Sequence, residues 1–189
     1  MKKLCAIAVM VVLAGALWAQ ASDNFHITVT VSVLGVSLYQ DDGTTPYGTW
    51  DLGMMASGAT AEMTYDDPDN DGDNHIEAVN TGNTAENLLV YSEEPSPPSA
   101  CGCGTPTAWT PGATAGADTY LLECGEGSES SLPASYVTCD GTDLGSADQV
   151  VSSLASGNTA HLFFKFTTPT SVSDGCQHDI TVTITAVSP

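Results

Sequence analysis

The chain has 189 residues, with 23 acids against three lysines and no arginine. Such a balance repels nucleic acid phosphates and anionic membrane surfaces, so neither is an expected partner. The length suits one domain with a sizeable core.

The opening "MKKLCAIAVMVVLAGALWAQA" reads as a secretory signal peptide, residues 1–21. Lys2 and Lys3 are basic, Leu4 to Leu17 form an apolar run short for a membrane span, and Ala19-Gln20-Ala21 offers a small-residue cleavage site. Cys5 lies at the start of the apolar run, which argues against lipid attachment there. The expected mature protein is 22–189, a single secreted extracellular domain with no membrane contact after signal cleavage. Cleavage removes Lys2 and Lys3, leaving Lys165 against 23 acids, a formal charge of −22. Salt bridges within the chain cannot neutralise that charge. Solvation, salt or divalent cations must do so.

The first mature segment, "FHITVTVSV" (25–33), alternates β-branched and polar residues and predicts a strand. Further strands are predicted at 47–53, 59–65, 75–80, 86–94, 118–124, 134–139 and 159–166. "HDITVTITAV" near the end repeats the alternation of the first, with Ile180, Val182, Ile184 and Ala186 on one face. "DQVVSSLAS" (148–156) reads as a short helix. The stretch 93–117, rich in Pro, Gly, Ser and Ala, and the stretch 125–133 read as long surface loops. Many short strands and almost no helical period predict an all-β fold, an antiparallel β-sandwich.

Trp50, Asp51, Gly53, Val79, Asn80, Gly82 and Asn83 form a pattern over about forty residues. It resembles secreted bacterial Ig-like domains of the Hydin-like (ASH) kind. In those, a Trp-Asp-x-Gly strand leads to a "V-x-N-x-G-N" corner. The resemblance implies an Ig-like sandwich and says little about function. Between the two halves of the pattern this chain carries an acidic insertion.

That insertion, "YDDPDNDGDNHIE" (65–77), has five aspartates, one glutamate and no basic residue. Asp67, Asp69 and Asp71 fall at positions 1, 3 and 5 of a D-x-D-x-D-G loop, with Gly72 at the sharp turn. Alternate residues of a tight loop converge their oxygens, which suits a hard cation of six to eight ligands. The loop resembles those of thrombospondin type-3 repeats and dockerins. The expected cofactor is Ca2+, held by Asp67, Asp69, Asp71, Asp73 and Glu77, with Asp66 as a further candidate. The fit departs from an EF-hand: Ala78 occupies position 12, and no helices flank the loop. A solvated hairpin loop is the plainer alternative, since Asp, Asn, Gly and Pro all favour turns.

Five cysteines remain after cleavage: Cys101, Cys103, Cys124, Cys139 and Cys176. An oxidising compartment favours disulfides, with Cys124–Cys139 the expected pair. Cys101-x-Cys103 and Cys176-x-His178 also sketch a Cys₃His metal site, with tighter spacing than such sites use. No nucleophile elbow, H-E-x-x-H or phosphate loop occurs, so the chain is not expected to be an enzyme. The expected function is a calcium-stabilised structural or interaction protein of an extracellular filament or surface layer. Self-association through the N-terminal strand 25–33 is one expectation; pairing of that strand within its own domain is the other. The alternative function is a soluble binding module, carbohydrate-binding or adhesin-like, using the loop 93–117 with Trp109 and Tyr120. No sorting motif or apolar tail follows the last strand, so release or retention by association is expected.

Overall fold

The computed structural model describes residues 31–65, 74–97 and 106–189. The compact unit described below is Ser32–Pro189. Ten strands follow in order: β1 Val36–Tyr39, β2 Thr60–Glu62, β3 Ile76–Asn80, β4 Glu86–Glu93, β5 Thr110–Pro111, β6 Thr119–Glu126, β7 Val137–Thr138, β8 Asp148–Leu154, β9 Thr159–Thr167 and β10 Thr181–Val187. There is no helix among the described residues. The larger sheet runs β1-β3-β9-β6-β5, with β2 on β9 and β7 on β6; the smaller runs β10-β4-β8. All pairings between these strands are antiparallel except the two-residue β5–β6 pairing. The fold is the expected all-β sandwich.

The core lies between the sheets. Strand alternation sends Ala160, Leu162, Phe164 and Phe166 of β9 inward, where they meet Leu88 and Val90 of β4. Tyr120 of β6 is wholly buried, and its hydroxyl bonds Ser92 Oγ of β4 across the core at 2.8 Å. Burial pushes the Tyr120 phenol up to about 12. Cys124 of β6 and Cys139, just beyond β7, form the expected disulfide.

β2 and β3 lie end to end along one edge of β9. Glu62 opposes Lys165 and Ile76 opposes Leu162, so three steps on β9 answer fourteen on the other segment. Met63 N donates to Phe164 O at 2.9 Å between these two pairs. The two strands are therefore halves of one strand, interrupted by the acidic excursion. Thr64 and Asn74 pair at its neck.

Asn80 ends β3 and pins the sandwich. Its amide donates to Thr84 O at 2.9 Å and to Leu154 O at 2.8 Å, and its Oδ1 accepts from Gly82 N at 2.8 Å. Its backbone N–H donates to Asn158 O, and its carbonyl accepts from Gly157 N. Gly82 could not carry a side chain, because a Cβ there would lie 2.3 Å from Val33 O. The sequence pattern around Val79-Asn80-Thr81-Gly82-Asn83 is thus a hydrogen-bonded corner.

Two expectations are corrected, and a third falls mostly outside the described residues. The segment 148–156 is β8, not a helix. Val151 and Leu154 are both buried although three apart, a spacing that suits a helix face. In the strand, two register irregularities against β4 reconcile it. Ser153 takes φ 53° at one of them, and its N–H donates to Asn87 Oδ1 at 2.8 Å. The segment 47–53 is not a strand. Asp51 Oδ1 accepts from Gly53 N at 2.9 Å and Gly53 has φ 56°, so the chain turns there. Trp50 packs against the core from this turn. The predicted strand 25–33 lies largely outside the described residues; 31–33 are not in a strand, and the paired segment is Val36–Tyr39.

Two tests follow from these contacts. Asn80→Ala strands two carbonyls and an N–H in the interior, and is expected to cost about 3 kcal/mol in urea unfolding. A loss below about 0.5 kcal/mol would show that the corner is not a stabilising pin. The double variant Cys124→Ala/Cys139→Ala is expected to lose about 3 kcal/mol, since the bridge closes a short loop. Equal midpoints for variant and wild type would contradict this.

Candidate metal centre

The neck of the acidic excursion is held on both sides. His75 N donates to Thr64 O at 3.2 Å, and Thr64 Oγ1 donates to Asn74 Oδ1 at 3.1 Å. Asn74 Nδ2 donates to Asp41 Oδ2 at 2.7 Å, which ties the neck to the turn after β1. Asn74 and His75 are 2% and 1% exposed. The excursion thus leaves from a hydrogen-bonded stem, exposed at Thr64 and buried at Asn74 and His75.

Register then gathers three donors on the outer face of the larger sheet. Glu77 on β3 opposes His161 on β9. His75 is two residues before Glu77, so the pleat turns it to the same face. One ligand atom from each of the three lies within 4.8 Å of the others. His75 Nε2 and His161 Nδ1 stand 2.9 Å apart, sharing one hydrogen bond. The other nitrogen of His75, Nδ1, is buried without a partner. Phe163 stacks on the His75 ring with centroids 5.0 Å apart. Phe163 in turn fills the space beside Gly127, where a Cβ would come within 2.7 Å of its ring.

Beside His75 opens a cleft of about 260 Å³, lined by Asp41, His75, Glu129 and Ser130. Burial, followed by the neighbouring His161, pushes the His75 imidazole below its ordinary value; Asp41 and Glu129 pull the other way. Burial pushes the Glu77 carboxyl up, and His161 opposes that shift. Burial thus disfavours the charged form of both side chains. Chemically, the arrangement offers two imidazole nitrogens and a carboxylate oxygen to one point.

Of the five residues expected to hold calcium, Asp67, Asp69, Asp71 and Asp73 lie outside the described residues, as does Asp66. Glu77 is described, and it stands with His75 and His161. Both histidines fall within predicted strands, 75–80 and 159–166, and neither is among the expected ligands. The i, i+2 spacing of His75 and Glu77 was the visible signal; the β9 partner was not.

The Cys₃His alternative does not hold. Cys176 is disulfide-bonded, and both ring nitrogens of His178 are engaged by carboxylates. His178 Nδ1 lies 3.1 Å from Glu94 and Nε2 lies 3.1 Å from Asp174 Oδ1. Trp109 stacks on this ring with centroids 3.8 Å apart. Asp174 also accepts from Cys176 N at 3.0 Å and Thr107 N at 2.9 Å. Those backbone bonds hold its carboxyl below the usual range. This buried cluster anchors the loop before β5. It also removes Tyr120 and Trp109 from the expected ligand surface: Tyr120 is wholly buried, and Trp109 is spent on His178 and the core.

Asp42, next to the cleft, gives a pH test. Its carboxylate accepts from Thr45 Oγ1 at 2.7 Å, Thr45 N at 2.7 Å and Thr44 N at 2.8 Å. These bonds, the Thr45 hydroxyl first, lower its pKa from 3.8 to about 2. The unfolded chain therefore takes up this proton first as pH falls. The turn's contribution is present above pH 3.8 and is lost between 3.8 and about 2. Asp42→Asn keeps an acceptor but cannot titrate. Its melting temperature is expected to fall less steeply than wild type across that window; parallel slopes would refute the assignment.

Comparison with family models, curated proteins and solved structures finds no match, so the geometry and the sequence carry the functional reading.

Proposed function

We propose that this chain is a secreted, calcium-braced structural or interaction protein, acting outside the cell as a subunit of a filament or surface layer. The observation that carries the reading is the charge of the acidic excursion set against the supply of cations. Lys165 is the chain's only basic residue beyond Lys2 and Lys3. It lies between Glu62 and Glu123 across neighbouring strands, 3.3 Å from the Glu123 carboxylate, and 5.9 Å above the Tyr136 ring. Tyr136 donates to Glu62 at 2.8 Å, which closes that cluster. The one lysine is thus committed, and the aspartates of 66–73 need cations from solution. Their D-x-D-x-D-G spacing suits Ca2+.

A stem closed by Thr64, Asn74 and Asp41 favours this further. A loop whose ends are already fixed loses less entropy when an ion orders it. The ion would brace β2 to β3 at the break in their common strand. An Ig-like kinship of the Hydin-like kind fits the Asn80 corner and belongs to the same proposal. Assembly would use sheet edges, where unpaired backbone groups can recruit a strand from another copy.

With free calcium at about ten times Kd, binding adds about 1.4 kcal/mol, a rise in melting temperature of roughly 4 °C. Magnesium, which keeps its waters and demands octahedral geometry, should give less. Asp69→Asn/Asp71→Asn should abolish the calcium shift. A full shift in that variant places the ion elsewhere. Size-exclusion chromatography of the mature protein at high concentration tests assembly. A strict monomer with and without calcium would end the filament reading and leave a soluble extracellular module.

A further inference from the structure

We propose that His75, Glu77 and His161 bind a borderline divalent transition-metal ion, of which Zn2+ is the probe, at a site separate from the calcium expected in the excursion. The donor set decides the class of metal. Imidazole nitrogen suits Zn2+, Cu2+, Ni2+ and Fe2+, whereas Ca2+ and Mg2+ take oxygen. Two histidines and one carboxylate are a recurrent three-ligand set that leaves a further position open.

The geometry is close to that of a loaded site. With Zn–N bonds of about 2.0–2.1 Å and tetrahedral angles, two ligand nitrogens stand about 3.3 Å apart. His75 Nε2 and His161 Nδ1 are at 2.9 Å. The rings need to part by only a few tenths of an ångström. The position of each donor is set by the fold. The pairing of Glu77 with His161 is a register position in the middle of the larger sheet, and His75 is clamped by Phe163 and the neck of the excursion. The site is therefore largely preorganised.

Proton placement is consistent with metal binding. In the shared hydrogen bond one of the two facing nitrogens carries the proton. A metal held by both nitrogens moves that proton to the far nitrogen of the same ring, with no net release from the neutral pair. In the loaded state the far nitrogen of His75 is a donor. It is Nδ1, buried and without a partner, on a ring that lines the cleft with Asp41 and Glu129. Ligating histidines commonly give that second N–H to a carboxylate or water. The strongly negative chain adds a field that concentrates cations at the cleft.

The site takes Glu77 out of the ligand set expected for calcium and leaves that ion to Asp67, Asp69, Asp71 and Asp73, and the test separates the two. Mature protein with intact disulfides, stripped by chelator and returned to excess calcium, is titrated with ZnCl₂ by calorimetry. One Zn2+ per chain is expected. His161→Ala and Glu77→Gln should each weaken it by at least about a hundredfold, and His161→Gln serves where the alanine variant does not fold. Asp69→Asn/Asp71→Asn should bind zinc like wild type. Co2+ in the wild type should give the visible d–d bands of a four-coordinate nitrogen and oxygen site, absent in the His161 variants. Zinc binding that survives in folded His161→Gln with wild-type affinity overturns the proposal. So does binding that disappears in Asp69→Asn/Asp71→Asn, which would place zinc in the excursion. Wild-type protein that takes up no zinc overturns it as well, while leaving the calcium shift intact.

Discussion

Strand β9 is the constraint on which the rest depends. It pairs with β2, β3 and β6 at once, and its inward residues supply much of the core. Because pleat and pairing fix each side chain's face, one choice of register sets both sides of the larger sheet. Inward go Ala160, Leu162, Phe164 and Phe166. Outward go His161, Phe163 and Lys165. A slip by one residue would turn Lys165 and His161 into the core and turn Leu162, Phe164 and Phe166 out of it. The hydrophobic penalty for that slip protects the alignment of Glu77 with His161 and of Glu62 and Glu123 with Lys165. The polar groupings of the outer face are by-products of core packing, aligned by the same register.

The excursion depends on the same register. A strand can tolerate an inserted loop if both halves keep their pairing with a neighbour. Here β2 and β3 remain in line along β9, and Thr64 and Asn74 close the gap. Closing a loop costs entropy that grows slowly with length, so an insertion of this size is tolerated at an edge. Asn80 then ends β3 and ties it to the segments entering β4 and leaving β8, joining the two sheets at one buried amide.

Much of this was legible in the sequence, and the failures have physical causes. Period-two alternation located β3, β4, β6, β9 and β10, because each has one face in the core. The Asn80 corner was visible as a motif, though its role as a junction between sheets was not. β8 was misread because its bulges shift the buried positions to a three-residue spacing, which mimics a helix. The segment around Trp50 was misread because a large aromatic at a turn looks like a strand residue; the Asp51–Gly53 turn outweighs it. The Cys124–Cys139 pair was readable, since both cysteines bracket a short loop between strand signals. The His75–Glu77–His161 grouping was beyond reach, because it needs the register between two segments far apart in the chain.

Acidity poses a problem that the fold solves locally. Three lysines cannot hold 23 acids by salt bridges, and the protein holds many of its carboxylates with neutral donors instead. Asp42 takes Thr44 N and the Thr45 N–H and hydroxyl; Asp143 takes Gly145 N and Ser146 N; Asp118 takes the Ser173 N–H and hydroxyl. Inside, Glu86 takes Gly35 N, Glu94 takes Trp109 N, and Asp174 takes Thr107 N and Cys176 N. In each case a carboxylate satisfies backbone groups that a turn or loop leaves unpaired, which is the use that Asp and Glu serve best when no cation is at hand. This use of carboxylates belongs to turns and loops. It has a limit: a backbone donor can hold an acid only where the chain turns back on itself. At the β3–β9 pairing the backbone groups are already spent in the ladder, so Glu77 lacks that source of donors. Two histidines stand beside it instead. The place where neutral donors run out is the place where a bound cation has the most to contribute.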